Sequence, residues 1–141
     1  MEEHHGSVSV TAKEQKRPTD AELAILQVLW EAGPSTVREV YRVLNESRQT
    51  GYTTVLKLMQ IMTDKGLLSR DTDERSHVYS PLLRSEDVQS TMLDHVLKTV
   101  FKGNRSRLVL QALGKNDASP EELKELKTWI KKLEEKENDS L

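Results

Sequence analysis

Thr53, Thr54, Lys57, Gln60 and Ile61 share one side of a helix predicted from Tyr52 to Lys65, provided that Val55, Leu58, Met59 and Met62 take the other. Hydroxyls, an ammonium and a carboxamide set side by side make a hydrogen-bonding surface. Base-pair edges and phosphates suit such groups. A threonine hydroxyl bonds either one and its methyl meets thymine, a lysine reaches guanine or a phosphate, and a glutamine pairs with adenine. Arg38 and Arg42 lie in the preceding helix, and Arg70, Arg75 and His77 in the segment that follows. All five are placed to hold a phosphate backbone. Lysine and threonine on an exposed helix face also suit plain solvation, and composition alone leaves both readings open.

Other chemistry has little to stand on. The 141 residues contain no cysteine, which excludes disulfides, thiolate metal sites and a cysteine nucleophile. His4 and His5 form an isolated pair, which is not a metal site. His77 has no second ligand near it in sequence, and His95 sits on an amphipathic helix. Glu121, Glu122, Glu134, Glu135 and Glu137 read as solvated helix faces, with early-turn acids favouring a helix N-terminus by ~0.3–1 kcal/mol each. No HExxH, P-loop, GxSxG or GxGxxG motif is present. The expectation is a protein that is not an enzyme and needs no cofactor and no metal.

Charged residues make up 31% of the chain and the mean hydropathy is -0.64, the signature of a soluble, helix-prone protein. No apolar run approaches the ~18–20 residues that span a bilayer. The first ten residues are polar and acidic, without the basic start and apolar stretch of a secretion signal. The expected compartment is the cytoplasm, with no membrane partner. A net charge of -2 does not by itself favour a polyanionic partner. Its distribution is uneven, with acids crowded into residues 121–139 and the first helix, and bases into 57–75 and 98–107. Aromatic residues, at 4%, are too few for a single-strand binder that stacks bases.

The elements that must position these groups follow from capping and periodicity. Residues 1–17 lack periodicity and read as a tail. Thr19 and Glu22 form a capping box that opens a helix, which carries Leu23, Leu26 and Trp30 on one face and stops at Gly33-Pro34. Thr36 and Glu39 open a second helix with Val37, Val40, Tyr41 and Leu44 inward, and residues 45–51 read as a polar turn. The third helix ends at Gly66. Leu67 to Arg70 and Ser76 to Ser80 then form a two-stranded hairpin around a polar turn, ended by Pro81. Ser85 is expected to cap a fourth helix reaching Val100, a fifth ends at Gly114, and Ser119-Pro120-Glu121-Glu122 starts a sixth. The expected architecture is mainly α with a small β wing. It divides into a winged helix-turn-helix domain over 18–83, a helical dimerisation region over 84–136 and a tail over 137–141. Val96, Val100, Leu108, Val109, Leu113, Leu126 and Ile130 are the expected dimer contacts, because three amphipathic helices after a complete small domain need partner surface.

The run from Pro18 to Trp30 resembles the opening of the penicillinase-repressor family, BlaI/MecI, which includes copper-responsive CopY proteins. Thr36-Val37-Arg38-Glu39-Val40, Gly51-Tyr52-Thr53-Thr54-Val55-Leu56-Lys57-Leu58-Met59, Lys65-Gly66-Leu67, Arg75-Ser76-His77-Val78-Tyr79-Ser80-Pro81 and Ser119-Pro120-Glu121-Glu122-Leu123 extend the resemblance over roughly Arg17 to Leu133. It implies a homodimer that binds double-stranded operator DNA with inverted-repeat symmetry and blocks transcription, together with a membrane sensor-protease. The β-lactam branch of the family is induced by cleavage of an Asn-Phe bond in the first helix of the dimerisation region. Here the corresponding pairs are His95-Val96 or Val100-Phe101, and neither is Asn-Phe. The copper-responsive branch carries a C-terminal cysteine motif, which a chain without cysteine lacks. Ile61 stands where several members have a basic residue.

The expected mechanism sets two recognition helices about one DNA turn apart, ~34–36 Å, in successive major grooves. Two alternatives stay open, a winged-helix adaptor that docks a protein and a regulator that activates instead of repressing.

Overall fold

The computed structural model describes residues 17–140 apart from 74, 116 and 117. Nearly all of the tail expected over 1–17 lies outside the described residues. Helix α1 spans Asp20–Ala32. Its start is fixed by the capping box. Thr19 Oγ1 accepts the Glu22 amide at 3.2 Å, and Glu22 Oε1 accepts the Thr19 amide at 3.0 Å. Helix α2, Val37–Ser47, begins the same way with Thr36 and Glu39, at 3.2 and 2.9 Å. It runs through the first part of the turn expected over 45–51, because buried Leu44 anchors its last turn and accepts the Arg48 amide. Helix α3, Tyr52–Lys65, ends at Gly66, whose φ of 85° and ψ of 17° place it in the left-handed region that glycine adopts without a Cβ clash.

These helices close on one core. Ile25, Leu26, Val28 and Leu29 of α1 meet Val37, Val40 and Leu44 of α2 and Val55, Met59 and Met62 of α3. Leu58, expected in the inward set, is half-buried at its edge. Strands β1 (Leu68–Asp71) and β2 (Val78–Pro81) pair antiparallel, with Leu68 opposite Pro81 and Asp71 opposite Val78. Ser76 and His77 precede β2 instead of opening it. Pro81, expected to end the strand, is its last paired residue. It stands at the end of β2, where the ladder stops and a missing N–H is tolerated. Buried Leu67, Leu68 and Tyr79 root the hairpin in the helical core.

One long-range pairing has no counterpart in the sequence reading. Ser35 and Tyr79 exchange backbone hydrogen bonds of 3.0 and 2.8 Å, so the segment between α1 and α2 makes a one-residue third strand beside the wing. Gly33, at φ 87° and ψ -175°, supplies the reversal that brings Ser35 there.

Helix α4 spans Ser85–Thr99. Ser85 is its first helical residue and not its cap. The Arg84 carbonyl accepts the Asp87 and Val88 amides, each at 3.1 Å. The chain divides into two compact units, Met1–Asp94 and His95–Leu141, so the division falls inside α4, downstream of the expected domain boundary at 83/84. In the second unit, α5 spans Arg105–Lys115 and α6 spans Pro120–Ser140. α5 runs one residue past Gly114, its expected end. Ser119 caps α6 reciprocally with Glu122, at 3.1 and 2.9 Å. The tail expected over 137–141 is helical as far as Ser140, since no glycine or proline follows Pro120 to stop the helix. None of the residues described between His95 and Ser140 is buried.

Candidate nucleic-acid interface

The surface of α3 is built by contrast with its core face. Val55, Met59 and Met62 are buried, which turns Thr53, Thr54, Lys57, Gln60 and Ile61 outward, all exposed. Asp64 extends the same stripe at the helix end. Unlike α1 and α2, α3 has no side-chain cap at its N-cap Gly51, so its first amides remain open to an acceptor from outside.

Two features hold α3 in place that the sequence reading did not identify. At its start, the Tyr52 ring packs edge-on against Tyr41 of α2, with ring centroids 5.7 Å apart, while the Arg38 guanidinium lies 5.0 Å from the Tyr52 centroid. The helical stripe had marked Tyr41 as inward, but nothing in the spacing announced Tyr52 as its partner. At the other end, Lys65 Nζ lies 2.7 Å from Glu22 Oε2. Glu22 is 3% exposed and Lys65 is 40% exposed. Burial raises the Glu22 pKa, but the Lys65 ammonium together with the Thr19 amide and hydroxyl outweigh it, and the carboxyl sits below its ordinary value. The pair ties the end of α3 to the start of α1.

Beside α3 lies an open cleft of about 320 Å³ lined by Thr36, Arg38, Glu39, Arg42, Tyr52, Arg75, Ser76 and His77, among others. It gathers four of the five flanking residues that the sequence nominated, from α2 and the wing. Arg70, exposed on β1, is not part of it. Among the described residues, Glu39 is the one carboxylate beside three guanidiniums there, and its Oε1 is engaged by the Thr36 amide. Among the described residues, no cluster of three or more metal-binding side chains occurs, and no helix is long and apolar enough to cross a membrane.

The nominated dimer residues lie in the second unit. Val96, Val100, Val109, Leu126 and Ile130 are exposed, and Leu108 and Leu113 are half-buried. Leu110, Leu123, Trp129 and Leu133, absent from that nomination, are exposed there as well. His95 and Val96 fall within α4, and Val100 and Phe101 in the turn after it.

Three helices closing on a two-stranded wing, with the third helix turning a polar face outward, define a winged helix-turn-helix protein. The family model described as "Penicillinase repressor" matches residues 18–132. The chain belongs to the penicillinase repressor family. It is 35% identical over 88 residues to the transcriptional regulator BlaI of Mycobacterium tuberculosis, covering 61% of this chain and 64% of that one. The chain thus spans just under two thirds of the length of its mycobacterial relative. It is 27% identical over 108 residues to the penicillinase repressor of Bacillus licheniformis, covering 77% and 84%. The solved DNA-binding domain of the repressor BlaI matches 50% of this chain and 87% of its own length at 25% identity, with a TM-score of 0.46.

Proposed function

We infer that this protein is a transcriptional repressor that binds a palindromic operator in duplex DNA as a homodimer in the cytoplasm. The observation that carries the reading is the outward face of α3, where Thr53, Thr54, Lys57 and Gln60 stand exposed beside a cleft holding Arg38, Arg42, Arg75 and His77. A helix of this kind fits the major groove, where each base pair presents its own pattern of donors, acceptors and methyl groups. The arginines and the open amides at the start of α3 hold flanking phosphates and fix the register. The exposed side chains of α3 then choose the sequence. Arg70 meets the backbone from the wing.

The second unit supports the homodimer. The end of α4 together with α5 and α6, with exposed Val96, Val100, Leu110, Leu126, Ile130 and Leu133 and no buried side chain among the residues described from His95 on, has no core of its own. A second copy supplies the missing surface, at ~25 cal/mol per Å² of apolar area covered. Dimerisation and operator binding then support each other, and a signal that loosens the dimer releases the DNA. Cleavage by a sensor-protease in the first helix of the dimerisation region, where His95-Val96 or Val100-Phe101 takes the place of the family's Asn-Phe bond, is one such signal. The relatives' names, a transcriptional regulator and a penicillinase repressor, favour a regulator over an enzyme.

Selection of genomic fragments by the purified protein, followed by fluorescence anisotropy on the enriched duplex across a salt series, tests the reading. The expected result is a dyad-symmetric site whose affinity falls steeply as salt rises. Weak binding that ignores sequence overturns the reading in favour of a protein-docking adaptor.

A further inference from the structure

Ile61 breaks the pattern of the face it occupies. Apart from half-buried Leu58 one turn back, which packs on the core, its neighbours there are the polar Thr53, Thr54, Lys57, Gln60 and Asp64, yet Ile61 itself is 38% exposed and takes no part in the core. One exposed isoleucine on a protein surface is ordinary. This one stands on the surface assigned to base edges, and a single apolar side chain among polar ones is too small for a protein-docking patch. The major groove offers polar atoms on every base pair and one apolar group, the C5-methyl of thymine. An isoleucine cannot bond a donor or an acceptor. Set against guanine, cytosine or adenine, it strips water from polar edges without replacing the lost hydrogen bond.

We propose that Ile61 is a specificity-determining residue that reads a thymine methyl in each half of the binding site. The inference rests on the operator-binding reading and deepens it. Seven residues separate Ile61 from Thr54, which at the ~1.5 Å rise of an α-helix is ~10 Å. The thymine therefore lies within about three base pairs of the base that Thr54 meets. Covering one methyl corresponds to roughly a fourfold change in affinity per half-site.

The test removes that methyl alone. Each thymine of the enriched duplex is replaced in turn by deoxyuridine, in symmetric pairs, and binding is measured for the wild type and for Ile61→Ala. Ile61→Ala should fold normally, since the side chain is outside the core, and its thermal melt checks this. The wild type is expected to lose about sixteenfold, roughly fourfold in each half-site, at one symmetric pair of thymines, and Ile61→Ala is expected to be indifferent at that pair alone. Other methyl-sensitive positions, such as those met by Thr53 or Thr54, should stay sensitive in the variant. If the wild type binds the duplex tightly but Ile61→Ala shows the same uridine profile, the role of Ile61 is overturned while the operator reading stands. If no duplex is preferred at all, both fall together.

Discussion

Replacing Glu22 with alanine removes two contacts at once. The capping-box bond to the Thr19 amide, 3.0 Å long, is lost, and so is the ion pair to Lys65 at 2.7 Å. Losing a cap contact costs ~0.5–2 kcal/mol. A hydrogen bond to a charged group contributes ~1.5–3 kcal/mol, but Lys65 is 40% exposed and returns to water, so about 1 kcal/mol is the fair share. Glu22→Ala should therefore destabilise the first unit by about 2 kcal/mol, and Glu22→Gln, which can keep the capping bond, by about 1 kcal/mol. Urea unfolding followed by Trp30 fluorescence in a Trp129→Phe background reads that unit alone. With a slope of ~1–2 kcal/mol per molar, the alanine variant should unfold about 1–2 M earlier. The carboxyl is held below its ordinary value in the folded chain. Its contribution is therefore complete above the unfolded value of ~4.3 and fades as pH falls through the lowered folded value. Wild type and Glu22→Gln should converge in acid. A gap between them that stays constant from neutral to acidic pH, or an alanine variant as stable as wild type, refutes the assignment.

Three further outcomes follow from the same structure. Gly33→Ala should cost ~1–3 kcal/mol in urea unfolding although nothing lies within 4 Å of the added Cβ, because φ 87° with ψ -175° suits glycine alone. In anisotropy titrations, Arg75→Ala should weaken all duplexes about equally and reduce the salt slope by about 1, whereas Gln60→Ala should lose ~1–3 kcal/mol on the preferred site only. Leu110→Asp, at a side chain 67% exposed in the second unit, should halve the sedimenting mass at micromolar concentration and leave the first unit's melt unchanged.

The first unit was legible where local chemistry decides the structure. Two threonine–glutamate boxes and the glycine after Lys65 mark helix ends whatever the tertiary context, and the inward residues of α3 follow from periodicity, which places the outward ones by subtraction. What escaped was long-range. Ser35 joins Tyr79 through a single residue, too short to show any alternation. Glu22 finds Lys65 across 43 positions, with nothing in either neighbourhood to pair them. Tyr52 was legible as a helix start but not as the ring between Tyr41 and Arg38. The reach of α6 to Ser140 escaped as well, because Asn138, Asp139 and Ser140 are weak helix formers by themselves and are carried by the long helix that precedes them. In the second unit periodicity marks which residues are apolar, but which of them a partner covers depends on a surface that the single chain does not carry.

Operator recognition of the kind proposed requires α3 to lie in the major groove. With no cysteine in the chain, Asp64→Cys gives a unique thiol on its outward stripe, clear of the assigned base contacts. An iron chelate attached there should cut the enriched duplex in two short clusters placed symmetrically about the dyad, about one helical turn apart. Cleavage spread evenly along the duplex, or none, would contradict the placement of α3 in the groove.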